Sequence, residues 1–252
     1  AVGGDGTVLS STHYVDSQLR GRIVAPCGPV VLGVNSDPTK PHERSGGTDE
    51  RRSYGALCYA SANDMAKTLP RVLSGEADND IQLRHRMAVT IRGTVSEMRL
   101  PPALNAVLVA PPSPAAVSRF RLERRPLAAA SNTDAFSVTV WSSGIWLATP
   151  TGATAALASA GGNPNVDKKA CQLQYIVREL LVGETNDADY VRRLSRGTVD
   201  HDHSLELRWN SQYGKVWIDG QHTSFPIELG DEVRFSSHAI PLRIFARSYC
   251  EE

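Results

Sequence analysis

The chain has 252 residues, carries Lys+Arg 27 against Asp+Glu 27, and is 41% hydrophobic. That length buries one large core or two modest ones, and the hydrophobic content argues against disorder. The charge balance argues against the broad basic footprint of a nucleic-acid binder. No apolar run approaches a membrane span, and the start lacks a charged stretch leading into an apolar one. Neither membrane insertion nor secretion is supported, and the cytoplasm is the expected compartment. The sequence has no initiator Met and opens almost inside a glycine-rich loop. We read this as a missing N-terminal part, which leaves a peroxisomal or organellar address open.

In chain order, residues 1 to about 78 have the texture of α/β material. Ala1-Val2 ends a strand that feeds the loop, and a helix follows around Thr7 to Leu19. Gly21 to Gly28 has no clear element and reads as an insertion. The continuous apolar run Pro29 to Asn35 predicts one short buried strand. Ser36 to Arg52, polar and holding Gly46-Gly47, reads as a mobile loop. Met65, Leu69, Val72 and Leu73 recur at helical spacing, with Pro70 expected to dent the helix.

From about residue 79 to the C-terminus, short alternating stretches take over. They are Met87 to Ile91, Ala106 to Val109, Phe136 to Trp141 and Gly144 to Ala148. Later come Leu205 to Trp209, Lys215 to Ile218, Ser224 to Leu229, Glu232 to Ser236 and Leu242 to Ala246. Turn-formers such as Asp219-Gly220 and Gly230-Asp231 punctuate them, and Ala128 to Asn132 is a hairpin-sized loop. Strands at this spacing predict an antiparallel β-sandwich or meander. The fold class is therefore α/β plus all-β, with 1–78 the first domain and 79–252 the second.

Two segments carry chemistry. In Gly3-Gly4-Asp5-Gly6-Thr7, three glycines permit positive φ and let backbone amides approach a phosphate. A helix starting there adds its dipole, and a carboxylate among such amides suits orienting or deprotonating a hydroxyl. The plain alternative is a Gly-rich turn with an Asp cap. The second segment, Thr149 to Gly162, follows a strand and ends on paired glycines, as a short small-residue helix would. Thr151 and Thr154 are its candidate caps, and its small side chains let a ligand lie against the backbone. Taken alone, it reads equally as a packed Ala-rich helix.

Other features have plainer readings. Cys27, Cys58, Cys171 and Cys250 are far apart and read as reduced thiols. Asp200-His201-Asp202-His203 is a polar loop before a strand rather than a metal site. Glu123-Arg124-Arg125 and Arg192-Arg193 are solvated surface. Trp141, Trp146, Trp209 and Trp217 are expected in the sandwich core.

Taken in order, GGDGT (Gly3 to Thr7), LNAV (Leu104 to Val107) and TPTGATAALASAGG (Thr149 to Gly162) resemble the three signature blocks of the NAD kinase family. Leu32 to Thr39 with His42-Glu43, Pro114 to Phe120, Gln172 to Glu179 and Trp217 to Gly220 extend the likeness to its plant-type NADH kinase branch. The resemblance implies a Rossmann-like α/β portion, N-terminally truncated, followed by the β-sandwich. It implies an enzyme that phosphorylates the 2′-hydroxyl of the adenosine ribose of NADH or NAD, with ATP as donor and Mg²⁺ arriving with the nucleotide. Asp5 matches the catalytic Asp, and Gly4, Gly6 and Thr7 its phosphate-facing loop. Asn105, Ser143, Thr151, Gly152, Thr154, Ala155 and Ser159 match nucleotide-binding positions. No dedicated metal site is implied, and family members are homo-oligomers.

The chain departs from the pattern at Ala106, where an acid usually follows the Asn. It departs again at Ser143, where many members have Asp, and at Ala153 and Ala156. Each change removes a polar contact of about 0.5–1.5 kcal/mol. Two alternatives stand beside this reading: a lipid kinase of the diacylglycerol or sphingosine type, which shares GGDGT, and a non-catalytic dinucleotide-binding relative.

Overall fold

The computed structural model describes residues 1–19, 29–37, 44–45, 48–49, 52–128, 135–182 and 188–247. The Gly21 to Gly28 insertion lies outside them, as do Cys27, Cys250, His42-Glu43, Gly46-Gly47 and most of the Ala128 to Asn132 loop. Contacts divide the chain into two compact units, Ala1–Arg84 with the segment from Pro241 onward, and His85–Ile240. This division differs from a boundary near residue 78. The strand Leu242–Phe245 pairs with Ile81–Arg84 and Val30–Val31, so backbone hydrogen bonds tie the C-terminal segment to the first unit.

In the first unit, strands Val2–Gly3, Val34–Asn35 and Ala60–Ser61 form a parallel sheet with Val34–Asn35 in the middle. The helix Asp5–Leu19 leaves this sheet directly from the first strand and buries Val8, Leu9 and Thr12. The expected single strand Pro29 to Asn35 is instead two strands, Val30–Val31 and Val34–Asn35, in different sheets. The break falls at Leu32-Gly33, where a Cβ on Gly33 would lie 2.8 Å from the Leu57 carbonyl oxygen. The chain at Gly33 is thereby pressed against Leu57-Cys58, and the Gly33 carbonyl accepts from the Tyr59 and Ala60 amides. Helix Met65–Leu73 runs on for three residues past Pro70, whose missing N–H leaves one helical bond unmade.

The second unit is a sandwich of two antiparallel six-stranded sheets. In order across the first sheet run Arg196–Val199, Leu173–Arg178, Gly144–Ala148, Ala106–Ala110, Tyr213–Ile218 and Ser224–Glu228. Across the second run Phe136–Ser142, Ser118–Pro126, His203–Trp209, Glu232–Ser236, Ala88–Arg92 and Glu97–Arg99. Val107, Ile145, Leu147 and Val216 from one inner face meet Phe120, Leu122, Leu207 and Phe235 from the other, the alternation a sandwich requires.

Only one of the four tryptophans belongs to that core. Trp209 is fully buried, with its ring 6.2 Å from Phe120. Trp146 and Trp217 both pair with Leu108 in register, which puts all three on the outer face of the first sheet. Trp141 lies on the surface beneath the Arg119 guanidinium, 4.3 Å from its ring centroid. The period of two placed these side chains on strands but did not say which face was inward. His201 and His203 do not share a face: His201 is exposed, while His203 is buried with Nδ1 2.7 Å from Asp202 Oδ1. Glu123 pairs with Arg121 at 2.6 Å and with Arg125 on the sheet surface.

Candidate active site

The Asp5 loop is assembled from three pieces of the first unit. Val8 and Leu9 fix the first turn of helix Asp5–Leu19 against the core, and the Gly4 carbonyl accepts from the Thr7 and Val8 amides. Asp5 occupies the first position of that helix, where a carboxylate favours the dipole. Its carboxylate is held by a turn 48 to 52 residues further along the chain. The Leu57 amide donates to Oδ1 at 2.7 Å, and the Ala56 amide donates to Oδ2 at 3.1 Å. The Ser53 hydroxyl donates to Oδ2 at 3.3 Å, and its oxygen accepts from the Asp5 amide at 3.1 Å. Gly4 makes this approach possible, because a Cβ there would lie 2.6 Å from Ser53 Cβ.

The turn is itself anchored by Asn35 and Asp37. The Asn35 side-chain amide donates to the Ser53 carbonyl at 3.2 Å, and the Asn35 side-chain oxygen accepts from the Asp37 amide at 3.1 Å. Asp37 Oδ2 accepts from the Arg52 and Ser53 amides at 2.6 and 3.2 Å. Part of the stretch Leu32 to Thr39 thus positions the groups that position Asp5. Gly6 and Thr7 are exposed beside it, with none of the described residues within 4 Å of a Cβ built on Gly6. Behind the carboxylate, burial pushes the Cys58 thiol up to about 11, and the charge of Asp5 adds to that rise.

In the second unit, Thr149 is the pivot. Its hydroxyl donates to the Leu104 carbonyl at 2.5 Å and accepts from the Thr151 and Gly152 amides at 3.1 and 3.3 Å. Its own amide donates to the Asn105 carbonyl at 3.0 Å. Gly152 then packs on Asn105 so closely that a Cβ would lie 2.1 Å from the Asn105 carbonyl oxygen and 2.4 Å from its Oδ1. From the other side, Asp219 accepts from the amides of Leu104, Asn105 and Ala106 at 2.8, 2.7 and 3.1 Å. Asp219 adopts φ 52, a backbone region that Asp and Asn tolerate best among non-glycine residues.

The expected helix over Thr149 to Gly162 is a 3₁₀ turn, Gly152–Thr154, followed by the single turn Ala156–Ser159 and a stop at Gly161, with φ 88. Neither Thr151 nor Thr154 caps it through its side chain. Thr149 does that work, because its hydroxyl reaches the amides of Thr151 and Gly152 first. Thr151 Oγ1 is buried with no hydrogen-bond partner among the described residues. Thr154 and Ala155 are exposed, and Ser159 lies on the wall of a cleft of about 1030 Å³ with Trp146, Ile176, Arg178 and Arg196.

The structure therefore gathers Gly4, Asp5, Gly6 and Thr7 in one unit. In the other it gathers Asn105, Thr151 and Gly152, with Thr154, Ala155 and Ser159 on the following turns. Ser143 does not join that group within the chain. It sits at the opposite end of strand Gly144–Ala148 from Thr149, roughly 20 Å away at about 3.3 Å per residue, and its hydroxyl donates to Glu179. Ser53, the amides of Ala56 and Leu57, Thr149 and Asp219 do positioning work that the pattern of residues did not assign. Among the described residues, no group of three or more His, Cys, Asp or Glu is placed to hold a metal ion.

No protein-family model matches the chain. A probable NADH kinase of Oryza sativa subsp. japonica is 38% identical over 250 residues, covering 97% of this chain and 69% of that protein. The chain belongs to the NADH kinase family. An Arabidopsis thaliana NADH kinase is 35% identical over 250 residues, covering 97% of this chain and 71% of its own length. These NADH kinases, and the NAD kinase of Methanopyrus kandleri that is 28% identical over 162 residues, are enzymes that transfer phosphate to NAD(H). The crystal structure of yeast NADH kinase complexed with NADH superposes with a TM-score of 0.67 over 98% of this chain. At 18% identity that likeness bears on the fold, a mixed α/β architecture with extensive antiparallel sheet. The chain spans 60% of the length of the yeast kinase chain.

Proposed function

We propose that this chain transfers the γ-phosphoryl group of ATP to the 2′-hydroxyl of the adenosine ribose of NADH or NAD, forming NADPH or NADP. The observation that carries the reading is the Asp5 carboxylate, fixed at a helix start by donors from a separate turn. A group held this way is oriented before substrate arrives, and positioning is most of what phosphoryl transfer needs from a protein. Asp5 aligns the acceptor hydroxyl and takes its proton, while the exposed loop at Gly6 and Thr7 faces phosphate oxygens.

The donor is MgATP, with the metal entering as part of that substrate. The Gly3 to Thr7 loop reads GGDGT and carries no GK[ST] lysine, so that loop is not a P-loop. In the second unit, the Asn105 side-chain amide is presented to the dinucleotide, and buried Gly152, packed on Asn105, sets its position. Thr154, Ala155 and Ser159 continue that surface. The buried, unpartnered Thr151 hydroxyl supports a polar ligand group at this point. The plant relatives are NADH kinases, which favours the reduced dinucleotide. A homo-oligomer working in the cytoplasm belongs to the same reading.

One assay separates the alternatives: ATP consumption measured with NADH, NAD and a dispersed diacylglycerol or sphingosine offered in turn. Turnover on NADH, slower turnover on NAD and none on lipid is expected. Turnover on lipid alone would replace the proposal with a lipid kinase.

A further inference from the structure

Hydrogen-bond accounting around Asp5 distinguishes its two carboxylate oxygens. A serine hydroxyl has one proton to donate and two lone pairs to accept with. Ser53 uses all three: Oγ accepts from the Asp5 amide at 3.1 Å and from the Gly55 amide at 3.2 Å, and donates to Asp5 Oδ2 at 3.3 Å. With both lone pairs engaged, the proton has one direction left, and the rotor is locked. The backbone of Ser53 is clamped as well, its amide by Asp37 and its carbonyl by Asn35.

The carboxylate offers two acceptor positions per oxygen. On Oδ2 both are taken, by the Ser53 hydroxyl and the Ala56 amide. On Oδ1 one is taken, by the Leu57 amide at 2.7 Å, and among the described residues nothing takes the other. We infer that Ser53 is a positioning residue for the kinase reaction, and that it leaves Oδ1 as the oxygen that receives the acceptor hydroxyl's proton. This rests on the assignment of Asp5 under the proposed function. In balance, the acceptor O–H bond breaks toward Oδ1 as its oxygen bonds to phosphorus, and the bond from phosphorus to the bridging oxygen of ADP breaks.

Without the Ser53 hydroxyl, Oδ2 has an open position too. The carboxylate then presents two competing acceptors and loses one of three restraints on its rotation. Such a change acts on alignment in the transition state, so it lowers kcat and leaves KM alone.

Two measurements on the same chain test this. Steady-state kinetics with MgATP and NADH should show Ser53→Ala about tenfold lower in kcat, with KM for NADH within about twofold of wild type. The ¹³C resonance of the Asp5 carboxyl, identified by its loss in Asp5→Asn, should shift in Ser53→Ala. A Ser53→Ala protein with wild-type kcat, a loss that appears only in KM, or an unmoved resonance would overturn the inference. A wild-type chain that forms no NADPH would instead sink the proposed function, and the resonance would still decide whether Ser53 holds the carboxylate.

Discussion

Around Asp5, two backbone amides and a hydroxyl converge on one side chain, and every contact is a directed hydrogen bond. Around Gly152, the decisive contact is bulk: backbone lies on backbone where any side chain would overlap Asn105. The first arrangement fixes where a charge points. The second fixes how near a surface can come, and leaves its small residues exposed to be covered. Chemistry needs the former and recognition the latter, so the two regions should respond differently to the same kind of damage.

The largest effect on stability and binding is expected at the close-packed region. Gly152→Ala drives a Cβ into the Asn105 carbonyl, so dinucleotide affinity should fall more than about 100-fold, and the second unit should lose about 3 kcal/mol by overpacking. Calorimetric titration with NADH and chemical denaturation read the two numbers. Next comes Asp219→Ala, which strips the amides of Leu104, Asn105 and Ala106 of their acceptor. A loss of about 2 kcal/mol in denaturation is expected. Asp219→Asn, which tolerates the same φ, should cost less.

The pH dependence of the scaffold gives a smaller, signed effect. Burial pushes the Tyr175 hydroxyl up to about 12, against about 10 in an unfolded chain. Below pH 10 both states are protonated. Between roughly pH 10 and 12 only the unfolded chain ionises, so stability drops as pH rises. Tyr175→Phe should flatten that drop relative to wild type in urea melts at pH 9 and pH 11, and cost about 1 kcal/mol at neutral pH through the lost bond to the Leu194 carbonyl.

The smallest effect reports on the hydrogen-bonded region without any substrate. The charge of Asp5 helps to raise the Cys58 thiol, so Asp5→Asn should lower it and speed alkylation of Cys58 severalfold at pH 8.5. Peptide mass spectrometry separates that thiol from the other three. An unchanged rate would mean that the carboxylate does not sit beside the Cys58 turn.

The two regions were also legible in the sequence to different degrees. Gly3 to Thr7 and Thr149 to Gly162 stand out as small-residue segments next to apolar strands, and the second unit's alternating strands fall within a residue or two of their expected places. Ser53 was invisible because it lies in a polar stretch with no period, and what it touches is almost fifty residues away. Leu173–Arg178 gave no strand signal because it is buried on both faces, so its residues do not alternate. Ser118–Pro126 was missed because Glu123-Arg124-Arg125, read as solvated surface, interrupts the alternation of Ser118, Phe120 and Leu122. Thr149 was one threonine among three, and nothing local ranks its hydroxyl above those of Thr151 and Thr154.

The most direct measurement is NADPH formation from NADH and MgATP by this chain and by its Asp5→Asn variant, with NADH affinity of both proteins taken by calorimetry. Wild type should form NADPH and ADP in equal amounts. Asp5→Asn should lose at least about a thousandfold in rate, an oriented catalytic group's usual share or more, while binding NADH within severalfold. Tight NADH binding by a wild-type chain that forms no NADPH, or an Asp5→Asn protein that turns over at the wild-type rate, would contradict the assignment of Asp5 as the catalytic group.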